Sequence, residues 1–213
     1  MMDHLGKLFN LIEATRAQPQ YGYVLSNLQK HELSDLAQHH YLVTFFAWQI
    51  ARQLESSGVQ IDLVKTLEFA LIHDIGELFG GDISWPYARV NPKARKYAKA
   101  FEEENQKFLS NYFGEGKNYF RKIAKEILDA KLLESVVAKV ADYVECAQYR
   151  QYLGKLTKGD VQMTIKALQA KVSKLKDKEA QKLLNDFILK WSKGLTPMRS
   201  IEPFESEKKT FKS

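Results

Sequence analysis

Four side chains carry the chemistry this sequence can be read for: His39, the adjacent pair His73-Asp74, and Asp142. They lie in three apolar segments, and each is an unusual residue for its position. Counting back four from Val43 in the stripe Val43, Phe46, Ala47, Ile50, Ala51 and Leu54 puts His39 on a core face, with His40 about 100° round the helix and off that stripe. A buried imidazole needs partners for both ring nitrogens. Asp74 sits in LEFALIHDIGELF, where Leu67, Ala70, Leu71 and Leu78 share its face, and Phe69, Ile72 and Ile75 leave little polar surface opposite. Asp142 repeats the pattern among Ala138, Val140, Ala141 and Val144. A carboxylate in such surroundings must be paired, hydrogen-bonded, protonated or bound to metal.

Each residue alone has an ordinary explanation. His39 can be a core histidine bonded to a carbonyl, His73-Asp74 a structural pair, and Asp142 the partner of Lys139. One divalent cation (Mn, Co, Fe, Ni, Zn or Mg) accounts for all four together, because imidazole and carboxylate are the usual donor mixture for such ions. Two nitrogens and two or more oxygens, completed by waters or substrate oxygens, make an octahedral site. His4, near the N-terminus, and His31, in a polar loop, receive no role.

The elements that must position these groups are helices, since apolar residues recur at helical spacing nearly throughout. The first is expected from about Leu5 to Thr15, followed by a loop from Gln18 to Lys30. A second, capped by Ser34 or Asp35, runs to Glu55. A third, capped by Asp62, spans Leu63 to Phe79 and is ended by Gly80-Gly81. Asp82 to Val90 reads as a loop around Trp85-Pro86. Asn91-Pro92 opens a helix that reaches Tyr112. Others are expected at Tyr119–Leu128, Leu132–Leu153, Asp160–Leu175 and Lys178–Trp191. The fold class is therefore all-α, a helical bundle in one domain over residues 1–194, with an extended tail at 195–213 that lacks periodicity.

With 213 residues, 45% hydrophobic and 27% charged, one well-filled core is expected. The net charge of +6 suits an anionic partner. No dense basic stripe interleaved with aromatics is present, so a phosphate-bearing small molecule is favoured over nucleic acid. The lone cysteine, Cys146, rules out an internal disulfide and reads as a buried, inert thiol in the run Val136 to Ala147. The opening residues lack the apolar core of a secretory signal, and no stretch is long and apolar enough for a membrane span, so a cytoplasmic protein without membrane contact is expected.

His39, then His73-Asp74, then Asp142 match in order and approximate spacing the H…HD…D pattern of the HD-superfamily metal-dependent phosphohydrolases, which this chain resembles. The segment LIHDIGELFGGDI is similar to that of the 5′-deoxynucleotidase branch, HD-x-x-E-x-x-x-G-D, with Glu77, Gly81 and Asp82 at the matching positions. SDLAQHHYLVTFFA and GYVLSN resemble two further segments of that branch. The resemblance covers roughly Gly22 to Leu153. It implies an HD-domain bundle in which His39, His73, Asp74 and Asp142 hold the cation. Glu77 would do acid/base or orienting work, and Asp82 would line the site and assist catalysis or contact the sugar. It also implies that Tyr23 packs on a nucleoside and that dimers are common. Trp85 could stack on a base and Arg89 could contact phosphate, beside ordinary roles in packing and as an exposed loop residue. The chain departs from the branch at Gln38, where relatives carry an acid, and at His40, where they carry a small polar residue. It departs again in the Gly22 loop, which is longer and has Gly22 and Ser26 where relatives have arginines, and Tyr23 where they have tryptophan.

The chemistry expected is hydrolysis of a phosphomonoester of a small nucleotide, a 5′-deoxynucleoside monophosphate first. The alternatives are an HD phosphodiesterase or alarmone hydrolase, and a non-catalytic metal- and nucleotide-binding regulator. A homodimer is expected. The run Glu102-Glu103-Glu104 reads as a solvated face.

Overall fold

The computed structural model describes residues 3–80 and 82–195. Among them are nine α-helices and no strand: α1 Asp3–Ile12, α2 Leu36–Ser56, α3 Leu63–Ile72, α4 Trp85–Val90, α5 Pro92–Leu109, α6 Lys117–Asp129, α7 Leu133–Tyr152, α8 Lys158–Val172 and α9 Lys178–Lys193. The architecture is all-α, as the periodicity predicts. Gly81 and the tail beyond Leu195 lie outside the described residues. No described helix is long and apolar enough to cross a membrane.

Helix starts follow the local chemistry. Asp35 Oδ1 accepts from the Gln38 N–H at 2.8 Å, Asp62 Oδ1 from Lys65 N–H at 3.0 Å, and Asn91 Oδ1 from Ala94 N–H at 3.0 Å. Each satisfies an N–H that the first helical turn leaves without a partner. Thr157 and Asp160 form a reciprocal capping box at the start of α8.

Helices α2, α3 and α7 form the centre, and α8 and α9 close it on one side. Val43, Ala47 and Ala51 of α2, Phe69 and Ala70 of α3, and Val137, Ala141 and Val144 of α7 meet in one apolar core. Leu168, Leu184 and Ile188 seal it from α8 and α9. A smaller core of Leu8, Ile75, Leu109, Phe120 and Ala124 joins α1, α5 and α6, with Phe113 stacked on Phe120 at 4.1 Å.

Three readings of the sequence need correction. The third helix does not run to Phe79. It ends at Ile72, turns through His73-Asp74, and resumes as a 3₁₀ segment, Ile75–Phe79. Long-range packing sets this break. A Cβ on Gly76 would lie 3.0 Å from the Glu102 backbone oxygen, so α5 presses directly on this turn. Asn105 of α5 donates to the carbonyls of Gly76 (2.9 Å) and Gly80 (3.1 Å), which the tightened turn leaves free. The stretch read as a loop from Asp82 to Val90 contains α4, with Pro86 in its first turn. His40 is buried along with His39, because α2 packs against α3 and α7 at once and so buries a wider arc than one stripe.

Candidate metal centre

The break after α3 brings the four expected ligands together. Nε2 of His39 lies 3.1 Å from Nε2 of His73. His39 Nε2 is 3.7 Å from Asp74 Oδ2 and 3.6 Å from Asp142 Oδ1. His73 Nε2 is 3.2 Å from Asp74 Oδ2 and 3.9 Å from Asp142 Oδ1. One donor atom from each of the four residues falls within 4.8 Å of all the others. Donors on neighbouring vertices of an octahedron with bonds of about 2.1 Å stand roughly 3.0 Å apart, so the cluster is close to the size of a chelated cation. Both histidines are buried, while Asp74 and Asp142 keep 16% and 12% of their side chains exposed, so the cluster reaches solvent from the carboxylate side.

Each imidazole is held from behind. His73 Nδ1 donates to the carbonyl of Ala70 at 2.8 Å, and His39 Nδ1 to Glu145 Oε2 at 2.7 Å. Donation from Nδ1 leaves Nε2 as the metal-binding atom and fixes the ring plane. The residues present therefore fit a divalent cation: two Nε2 atoms and two carboxylate oxygens converge, with both rings oriented for ligation. Glu145 escaped the sequence reading. Like Asp142, it is an acid in an apolar run, three residues on, on the same face of α7 and fully buried.

Lys139 completes the charge balance. Its amine lies 3.1 Å from Asp74 Oδ1 and 3.3 Å from Asp142 Oδ2. The structural pairing of Asp142 with Lys139 and the clustering of Asp142 with His39, His73 and Asp74 thus coexist. Burial works against its charged form, but Asp74, Asp142 and Glu102 outweigh it and hold the amine above its ordinary pKa. Burial also opposes protonation of His39, yet its hydrogen bonds to Asp74 and Glu145 prevail and raise it to about 10. Asp74 is pushed well below the usual carboxylate range: burial opposes this, and the charges of His73 and Lys139 overcome it. His40 is driven the other way, first by burial and then by repulsion from His73 and His39. Its ring stands 5.0 Å from that of His73, and its Nε2 is buried without a hydrogen bond.

A second group of acids borders this centre. Glu77 lies in the 3₁₀ segment three residues after Asp74, the spacing at which side chains of such a turn eclipse. Burial, then the charge of Asp74, raises Glu77 well above an ordinary glutamate. The same two causes bring Asp82 to about 6 and Glu102 to about 7. Gly22 abuts Asp82 so closely that a Cβ there would come within 2.8 Å of Asp82 Oδ2. Glu102 is not part of a solvated face: it turns inward over Gly76, while Glu103 and Glu104 stay exposed.

The expected substrate contacts fare differently. Tyr23 is buried, with its ring against Tyr149 at 5.5 Å and its hydroxyl 3.4 Å from Glu145 Oε2. It therefore lies behind His39 and presents no open face for a nucleoside. Trp85 and Arg89 share α4, and the guanidinium covers the indole at 4.9 Å. Cys146 fits the inert reading, as burial and then Asp142 raise its thiol well above the ordinary value.

Two outcomes follow. Replacing Glu145 with Ala frees the His39 ring and weakens divalent-metal affinity by about 10- to 100-fold in titration calorimetry, whereas Glu145→Gln, which still accepts the hydrogen bond, loses far less. Equal losses in the two variants would contradict the orienting role. The second outcome concerns the metal-free protein. Asp82, Glu102, Glu77 and His39 all have folded pKa values above their unfolded ones, so the native state binds more protons. Their contribution is complete below the unfolded values and lost as pH rises through about 6 to 7 for the two numbered acids. His40, shifted downward, opposes this only below its unfolded value. Melting temperature should therefore fall by roughly 5 °C or more from pH 5.5 to pH 8. A rise over that interval would show that the acids are not buried as described.

The sequence matches the HD domain family over residues 14–184. No curated protein matches it. Among solved structures, a conserved hypothetical protein from Pyrococcus furiosus is 21% identical, covers 88% of this chain and 98% of its own length, and superposes with a TM-score of 0.64. A protein of Pyrococcus horikoshii is 20% identical, with 89% and 99% coverage and a TM-score of 0.60. These likenesses confirm the fold. The family match spans α2 through α8 and the first part of α9 and takes in every residue of the metal centre, so the chain belongs to the HD domain family.

Proposed function

We propose that the protein is a metal-dependent phosphohydrolase that cleaves the phosphomonoester of a small nucleotide, with a 5′-deoxynucleoside monophosphate as its first candidate substrate. The observation that carries this reading is the convergence of His39, His73, Asp74 and Asp142 next to carboxyls whose affinity for protons is raised by burial and by the charge of Asp74. Those four residues would hold a divalent cation, which would supply Lewis acidity toward water and a phosphoryl oxygen. Phosphoryl transfer asks little covalent chemistry of the protein, so positioning and electrostatics dominate. Glu77, with its raised pKa, holds a proton beside Asp74 that it can give to a leaving alkoxide oxygen. Asp82, near 6, is poised to accept a proton or a hydrogen bond donated by a sugar hydroxyl. Lys139 holds Asp74 and Asp142 in place and helps to keep Asp74 ionised.

A second reading is favoured by that same lysine. Because Lys139 bridges Asp74 and Asp142, part of the carboxylate charge is balanced without a metal ion, as in a binding or regulatory domain. Purified protein screened against nucleoside monophosphates, cyclic nucleotides and guanosine polyphosphates, with Mn, Co, Mg or Zn, separates the readings. Free phosphate from monophosphates is expected. Asp74→Ala should abolish it together with metal binding, and Glu77→Gln should slow turnover by roughly 10²- to 10⁴-fold with metal retained. Metal bound with no hydrolysis of any phosphoester would favour the non-catalytic reading.

A further inference from the structure

His39 stands between two sets of donors, one at each ring nitrogen. Its Nε2 faces His73, Asp74 and Asp142 in the centre described above. Behind the ring, Nδ1 meets Glu145 at 2.7 Å, and Cys146 completes a second group. One donor atom each of His39, Glu145 and Cys146 falls within 4.8 Å of the others. Atoms bound to a tetrahedral zinc stand roughly 3.3–3.6 Å apart, so the three are near the spacing that one such ion imposes. The Cys146 sulfur is also 3.7 Å from Asp142 Oδ1, to which its S–H donates. His39 and Glu145 are fully enclosed while Cys146 is half-buried, so the cysteine is the member of the group nearest solvent.

The rear group differs in kind from the front one. A thiolate is a soft ligand that selects zinc or cadmium over manganese and magnesium. Inert as a nucleophile, the thiol still serves as a ligand, because a coordinating cation removes its proton outright. Three protein donors leave one position open to water. The Tyr23 hydroxyl, 3.4 Å from Glu145 Oε2, holds that carboxylate when His39 no longer donates to it.

We infer that His39, Glu145 and Cys146 form a second cation site, which takes a thiophilic ion such as zinc and excludes a cation from the first. The protons on Sγ and Nδ1 leave as the ion binds, and the ring keeps its proton on Nε2. A neutral imidazole has a single lone pair, so His39 serves one centre at a time. Zinc behind the ring denies His39 to manganese or magnesium in front of it and so inhibits the activity proposed above. Only this exclusion rests on the first centre's binding metal; the affinity for soft ions does not.

Cadmium is the probe, since a cadmium–thiolate bond absorbs in the ultraviolet. Metal-free protein should take up one equivalent as that band grows. Saturating manganese should weaken this uptake at least about tenfold, the coupling expected of two sites that compete for one ligand. Cys146→Ser, which keeps a donor to Asp142 and removes only the sulfur, should lose the band and bind manganese as the wild type does. Asp74→Ala, which cripples the first centre alone, should keep the band, and manganese should no longer suppress it. Three results would each overturn the inference: no band in the wild type, a band lost as fully in Asp74→Ala as in Cys146→Ser, or a band indifferent to bound manganese. A band in a protein that binds no manganese would uphold the rear site and refute the front one, so the two failures are distinct.

Discussion

Two imidazole nitrogens 3.1 Å apart, facing two carboxylate oxygens in a largely buried pocket, set the terms for the rest of the molecule. Such groups do not gather for their own sake: each gives up hydration, and each must be held against easier alternatives. The fold supplies the holding. Ala70 and Glu145 fix the rings from behind, and Lys139 spans the two aspartates. Helices α2 and α7, together with α3 and the turn that ends it, contribute all of these groups, and the same three helices share the central core. Site and core are therefore one construction, and the apolar packing that stabilises the bundle sets the donor spacing.

The protonation pattern follows from the same crowding. Metal-free, the cluster carries protons on His39 and Lys139 against negative charge on Asp74, with Glu77, Glu102 and Asp82 driven toward their neutral forms. A divalent cation competes with the proton on His39, so metal affinity should grow with pH and binding should release protons. The acids bordering the centre are then the groups best matched to proton transfer near neutrality.

Much of this was legible in the sequence because it depends on local pattern. His39 falls on the stripe of α2, Asp142 interrupts an apolar run, and Asp35, Asp62 and Asn91 announce their helices. Glu145 was equally legible, since it breaks the same apolar run three residues later. What could not be read was set by distant packing. The end of α3 at Ile72 depends on Asn105 and on the fit of α5 against Gly76, some 30 residues away in the chain and invisible to periodicity. The inward turn of Glu102 has the same origin. Tyr23 looked like a ligand contact because of its motif. Its burial against Tyr149 depends on how the Gly22 loop meets α7, which no local signal encodes.

The central claim is that His39, His73, Asp74 and Asp142 chelate one cation. Crystals grown with Mn and measured near its absorption edge test it most directly. A single anomalous peak is expected, bonded to Nε2 of both histidines and one oxygen of each aspartate at about 2.0–2.3 Å. No peak there, with Lys139 still bridging Asp74 and Asp142 and the two Nε2 atoms hydrogen-bonded to each other, would contradict it.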